Sequence, residues 1–316
     1  MKAFLLLALA LLLPVSAPAA ELSRLSYGEL AARVIRTSWA ETNASIGEAN
    51  ENSLPHEVKD SRKQIASLKE QLDLFAFAYP SEPTDLWMEI RDDLDKGYEV
   101  FGEFKDFFDV QGVSSGDEAR YDESELKPVR KELLKWTKKW AGKAASYSAF
   151  LHEPDTRKLH SRSKKKLSRF YWGAVSIEPD PSLTGTQNLA ALCLGLRDAA
   201  ISDWGTVRKL ENPSVASKDE ETFHDFRKRI RSLGRILRTF PAIYSGQEAN
   251  LVELEALASE YGDLHDKIVA HEKAVAAGKD KKAAKLQEEI GDSWRELVKK
   301  QEKRGIKSLL KSILIS

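Results

Sequence analysis

The sequence predicts an all-α protein made of two related helical bundles, and three observations carry that reading. Glycine and proline are sparse, 17 and 11 of 316 residues, while 31% of the residues are charged and leucine, alanine, lysine and glutamate abound. These abundant residues lose little on entering a helix. No stretch sustains the alternation of apolar and polar residues that a half-buried strand requires. The chain also repeats itself. "LPHEVKDSRKQIASLKEQLDLF", from Leu54, lines up with "TFHDFRKRIRSLGRILRTF", which runs from Thr222 to Phe240, when His56 is set on His224. That register sets Val58 on Phe226, Lys59 on Arg227, Lys63 on Arg231 and Ile65 on Leu233. Further along, "FGEFKD" from Phe101 matches "YGDLHD" from Tyr261 in almost the same register. Two matches in one order at nearly one offset mark an internal duplication.

The elements follow in order. In the first half, helices are expected over about 24–50, 55–78, 84–109 and 122–151, with 157–175 a basic continuation. The breaks are Pro80-Ser81-Glu82-Pro83, Gly112-Val113-Ser114-Ser115-Gly116 and Glu153-Pro154-Asp155, residues that resist a helix or favour a turn. In the second half, helices are expected over about 185–210, 219–240, 248–276 and 279–313, with Ser245-Gly246 as a break. "SIEPDPSLTG", from Ser176 to Gly185, divides the halves, giving a first bundle over 21–178 and a second over 179–316.

Residues 1–20, MKAFLLLALALLLPVSAPAA, join one lysine, an apolar run and small residues ending in Ala17-Pro18-Ala19. This is the anatomy of a secretory signal peptide, and the apolar run is too short for a membrane span. The expected product is exported, to the periplasm or the exterior. Cys193 is the only cysteine, so no intramolecular disulfide can form; a core of this size does not need one.

Lysine plus arginine equals aspartate plus glutamate at 49 each, so any affinity for a polyanion must come from local arrangement. The stretch 222–240 has such an arrangement. At 100° per residue, Arg227, Lys228, Arg231, Arg235 and Arg238 fall within about 60° of His224. Phe226, Ile230, Leu233, Leu237 and Phe240 gather on the opposite side as a core stripe. Like charges at these spacings repel, and arginine suits bidentate contact with phosphate oxygens. Two readings stay open: a solvated face paired with acids of neighbouring helices, or an anion-binding track. A second basic run, "RKLHSRSKKKLSRFYW" from Arg157, leads into Phe170, Tyr171 and Trp172.

Signatures of catalysis are missing: G-x-S-x-G, H-E-x-x-H and G-x-x-x-x-G-K-[ST] do not occur. Cys193 lies in the apolar run "ALCLGL" and reads as core. His265, Asp266 and His271 do not make a metal set, because positions 265 and 271 point apart on a helix.

The repeated elements resemble the CHAD family, the conserved histidine α-helical domain. Its mark is a histidine opening a helix, H-x-x-R spacing with further basic residues, and a downstream L-G-x-x-R-D-like element, once in each half. His224, Arg227, Arg231 and Leu233 match the first element, while Ser232 and Gly234 stand where the family often has arginine and Arg235 adds charge one step later. In "YGDLHD", His265 replaces the arginine and Asp266 is kept. The first half diverges more: His56, Lys59, Lys63 and Ile65 follow the pattern, but Asp60 and Glu70 intrude on that face, and "FGEFKD" supplies Lys105 and Asp106.

The resemblance implies two antiparallel bundles with pseudo-twofold internal symmetry and a basic groove between them that binds inorganic polyphosphate. It implies no catalysis and no cofactor. The expected site is His224, Arg227, Lys228, Arg231, Arg235 and Arg238 with His265 in the second half, and His56, Lys59, Lys63 and Lys105 in the first. The acids of the first half lead us to expect the second to dominate. The competing expectation is a structural or protein-binding bundle without an anion site; nucleic acid is a further polyanion that a phosphate track could accept.

Overall fold

The computed structural model describes residues 19–52, 55–81, 85–110, 123–160, 178–210, 218–244, 248–313 and 315. After a helical turn at Ala19–Leu22, four helices form the first unit: α1 (Tyr27–Asn52), α2 (Pro55–Leu74), α3 (Leu86–Val110) and α4 (Glu123–His152). The rest are α5 (Gly185–Val207), α6 (Lys218–Thr239), α7 (Glu248–Ala276), α8 (Asp280–Arg304) and α9 (Ile306–Ser312). Short 3-10 turns at Ala76–Ala78 and Pro241–Ile243 follow α2 and α6. Among the described residues the only β-type pairing is one isolated bridge, Tyr244 with Ile315. The all-α expectation holds.

Local chemistry sets many helix ends. Ser26 and Glu29 form a capping box at the start of α1, with the Ser26 amide donating to Glu29 Oε2 at 2.8 Å and the Glu29 amide donating to Ser26 Oγ at 3.3 Å. Pro55 opens α2, where its missing N–H costs nothing. The chain leaves α7 through Gly278 at φ 64°, with the Lys279 amide closing onto the Ala274 carbonyl at 2.9 Å. Gly305, at φ 65°, does the same for α8 and starts α9. The single helix expected over 279–313 is therefore two, because one residue in the left-handed region ends the first.

The chain divides into two compact units, one holding α1 to α4 and residues Glu178–Gly185, the other the helices from Thr186 onward. In the first, α1 packs on α2 and α4, and α3 on α2 and α4, which closes a four-helix ring. Trp136 stacks on Trp140 with centroids 5.4 Å apart, and Phe101 meets the Trp136 edge at 5.8 Å. Gly97 makes room for that indole: a Cβ there would lie 2.3 Å from the ring. In the second unit, α7 packs on α6, α8 and α9. Phe223, Phe226, Tyr261 and Trp294 join α6, α7 and α8 in one aromatic cluster, and Trp204 of α5 reaches Phe226 at 5.7 Å.

The duplication is plain in the cores. In the register that sets His56 on His224, the buried Val58, Ile65, Leu68 and Leu72 of α2 fall on Phe226, Leu233, Ile236 and Phe240, which are buried too. In the register that sets Phe101 on Tyr261, Leu94, Phe104 and Phe108 of α3 have buried counterparts in Leu254, Leu264 and Ile268.

The basic continuation expected over 157–175 is corrected where it can be seen. After α4 ends at His152, residues 153–160 are not helical and cross the 3-10 turn, the Asp155 amide donating to the Ala78 carbonyl at 2.8 Å and the His160 amide to that of Phe77 at 2.9 Å. Asp155 also accepts from the Arg157 and Lys158 amides. The remainder of that run, with Phe170, Tyr171 and Trp172, lies outside the described residues. So do the signal-like residues 1–18 and the breaks expected at 112–116 and 245–246. Among the described residues no helix is long and apolar enough to cross a membrane.

Candidate anion-binding face

On α6 the basic stripe and the core stripe separate as the helical geometry requires. Phe223, Phe226, Ile230, Leu233, Leu237 and Phe240 are buried against the bundle. That burial, worth roughly 1.5–3 kcal/mol for each such side chain, fixes the helix and presents its other side. His224 lies in the second turn of α6, which begins at Lys218, rather than opening the helix.

The His224 ring stacks on His265 of α7, with centroids 5.1 Å apart and planes 24° from parallel. Arg227 lies nearest: its Nη2 is 3.5 Å from His224 Nδ1, and the residue is only 9% exposed. Lys228 and Arg231 are half-buried beside it, and Arg235 is exposed one turn further on. Burial, then the charges of Lys228, Arg227, His265 and Arg231, push the His224 imidazole down to about 3. The ring is therefore neutral at physiological pH and sits in a positive field, although the chain as a whole has no net charge. His265 Nδ1 lies 3.8 Å from the exposed carboxylate of Asp266.

Two other arginines of α6 are committed to acids. Arg238 Nη2 lies 2.7 Å from Glu255 Oε2, and Arg238 also bridges to Glu248. Arg229, on the flank, pairs with Asp203 of α5. The α6 face thus brings His224, Arg227, Lys228 and Arg231 together with His265, leaves Arg235 exposed along the same line, and turns Arg238 toward α7.

The corresponding face of α2 is different. His56 and Lys59 are exposed, and Lys63 reaches back to Asp60 at 2.8 Å. Lys105, on α3, lies 4.0 Å from Asp106. Three enclosed cations of this unit are ones the sequence did not single out. Arg62 lies over the Tyr98 ring at 4.2 Å, and Lys69 over the same ring at 4.6 Å. Arg91, 3% exposed, grips Asp73 through Nε at 2.8 Å and Nη2 at 3.2 Å, and both Arg91 and Lys69 bridge to Asp95. The spacing of Arg91 and Asp73 in sequence gives no sign of that pairing; only the packing of α2 on α3 makes it.

Cys193 is buried in α5, and burial pushes its thiol well up, which leaves it a core residue with little thiolate. No cluster of three or more histidine, cysteine or acidic side chains that could hold a metal occurs among the described residues.

No protein-family model and no curated protein sequence matches the chain. Among solved structures, the CHAD domain from the plant Ricinus communis is similar, with a TM-score of 0.50 and 15% identity over 93% of this chain and 96% of that one. A likeness that covers both chains almost end to end at so low an identity carries the architecture alone. The chain has a CHAD-like helical fold.

Proposed function

We propose that this protein binds inorganic polyphosphate, without catalysis, through the basic face of α6. The observation that carries the reading is the positive enclosure around His224: Arg227, Lys228 and Arg231 on one helix, His265 stacked from the next, and burial and a field that together keep the imidazole unprotonated. Like charges drawn together on a half-buried face gain from an anion that neutralises them. A polyphosphate chain, with close to one charge per phosphate, matches a row of cations spaced along a helix, and its displaced counterions favour binding. The CHAD-like fold agrees with this ligand, and the signal-like residues 1–20 suggest an exported carrier or sensor rather than a cytosolic one.

The test is binding of long-chain polyphosphate across a salt series. The affinity should fall linearly on a log–log plot, with a slope of about −0.7 for each phosphate neutralised if the chain behaves as a flexible single strand. Single-stranded DNA at matched phosphate concentration should compete poorly. Equal competition would make the face a general polyanion track. Absence of binding at low salt would leave the second reading, a structural or protein-binding bundle. One observation favours that alternative: the cations of Arg238 and Lys63 are already answered by acids of this chain.

A further inference from the structure

The stacked imidazoles add a property that a row of lysines and arginines would lack. His224 and His265 face each other across the packing of α6 on α7, and the charges acting on His224 are Lys228, Arg227 and Arg231 from its own helix and His265 from the other. The carboxylate of Asp266 lies 3.8 Å from His265 Nδ1 and is largely in water. Without an anion on this face, a proton added to the His224 ring is a new charge among existing like charges. An anion laid on the same face reverses that balance, because each of its oxygens favours the protonated ring. Proton and anion then bind together, and thermodynamic linkage makes each strengthen the other.

We propose that the His224–His265 pair takes up protons when a phosphate chain occupies the α6 face, so that affinity for polyphosphate rises as the pH falls below neutrality. This rests on the reading of α6 as a polyphosphate site. It gives the two histidines a role that fixed cations do not have. The depressed proton affinity of His224 agrees with a ring that is neutral until the anion arrives. The counterpart of His265 in the first unit is Lys105, so a stacked pair of imidazoles cannot form at that place in the first repeat.

The experiment is calorimetry of long-chain polyphosphate binding to the full chain, between about pH 5 and 8, in buffers of different ionisation enthalpy. The buffer dependence of the heat counts protons taken up. We expect net uptake of up to one proton for each ring and an affinity that rises up to about tenfold per pH unit for each proton bound. His224→Gln and His265→Gln, made singly and together, keep a side chain that can hydrogen-bond and remove the titration. Whatever their absolute affinity, its dependence on pH should flatten and the count of protons taken up should fall with each ring removed. Binding by the natural protein with no proton uptake would overturn the proposal and leave the polyphosphate reading standing. Uptake that survives in the double variant would overturn it too, by assigning the protons to other groups such as Asp225, Asp263 or Asp266. No binding at any pH would remove both readings.

Discussion

The helices α2 and α6 occupy equivalent places in a duplicated chain, and they have kept different things. Four buried apolar positions correspond: Val58, Ile65, Leu68 and Leu72 of the first fall on Phe226, Leu233, Ile236 and Phe240 of the second. Their polar faces do not. On α6 the cations beside His224 are buried or half-buried; on α2 their counterparts Lys59 and Lys63 stand in water, and Lys63 turns to Asp60. The interior between the helices has diverged as well. Lys69 and Arg91 of the first unit correspond to the buried Leu237 and Leu251 of the second, and Asp73 to Pro241. The positions of a buried ion cluster in one repeat are thus held by apolar residues in the other. Packing constrains a core position through its neighbours on every side, whereas a face held only by solvent or a ligand is free to change.

The largest effect should come from breaking the ion cluster. Arg91→Leu, which leaves Asp73 buried without its guanidinium, is expected to cost about 3–5 kcal/mol of unfolding free energy in denaturant titration. Converting the pair together, Arg91→Leu with Asp73→Leu, removes both buried charges and should recover most of that loss. If the double variant is no more stable than the single, the two interiors are not interchangeable solutions.

Ile65→Ala and Leu233→Ala probe the part of the repeats that is the same. Each should cost about 2–5 kcal/mol, through lost burial and the cavity left behind. Similar values from the same titration support matched cores; a surface-like value for either would break the correspondence.

Acid should separate the units by pH. His224 has a folded pKa of about 3 against an ordinary 6.5, so the unfolded chain binds the proton first and stability falls as the pH drops from 6.5 toward 3. Asp93 of the first unit behaves differently: against the cost of its burial, hydrogen bonds from Lys143, Lys139 and Tyr147 hold it at about 2 rather than 3.8. The stability it contributes is complete above 3.8 and is lost as the pH falls through 2. His224→Gln should therefore remove the loss that begins near neutrality, and Asp93→Asn the loss confined to strong acid. Stability measured by denaturant at a series of pH values checks both, and exchanged windows would contradict the assignment.

The smallest effect should be at Lys63. Both partners of its ion pair with Asp60 are mostly exposed, so Lys63→Ala should change stability by less than about 1 kcal/mol.

Much of this molecule was legible in its sequence, for a physical reason. Helix periodicity and the burial of one stripe are local properties, so the core face of α6 could be read from residues 226, 230, 233, 237 and 240 alone. The duplication could be read because matched apolar positions such as Val58 and Phe226 recur in register with matched histidine and basic positions such as His56 and His224. What escaped depends on contacts between elements. Arg238 lies on the basic stripe by angle, but Glu255 arrives from α7 to take it. The segment 153–160 is pinned by carbonyls of Phe77 and Ala78, far away in the chain. Gly305 breaks a helix whose amphipathic pattern runs straight past it. His224 and His265 stood out separately in the sequence, and only the packing of α6 on α7 shows that they stack.

The most direct measurement compares the two faces. Long-chain polyphosphate is titrated into the natural protein, an Arg231→Glu, Arg235→Glu variant and a Lys59→Glu, Lys63→Glu variant, with the fold of each checked by circular dichroism. The first pair of reversals should weaken binding about tenfold or more and reduce the salt slope by at least about 1.4, while the second pair should leave both nearly unchanged. Equal losses from the two variants, or a loss only from the α2 pair, would contradict a site centred on α6.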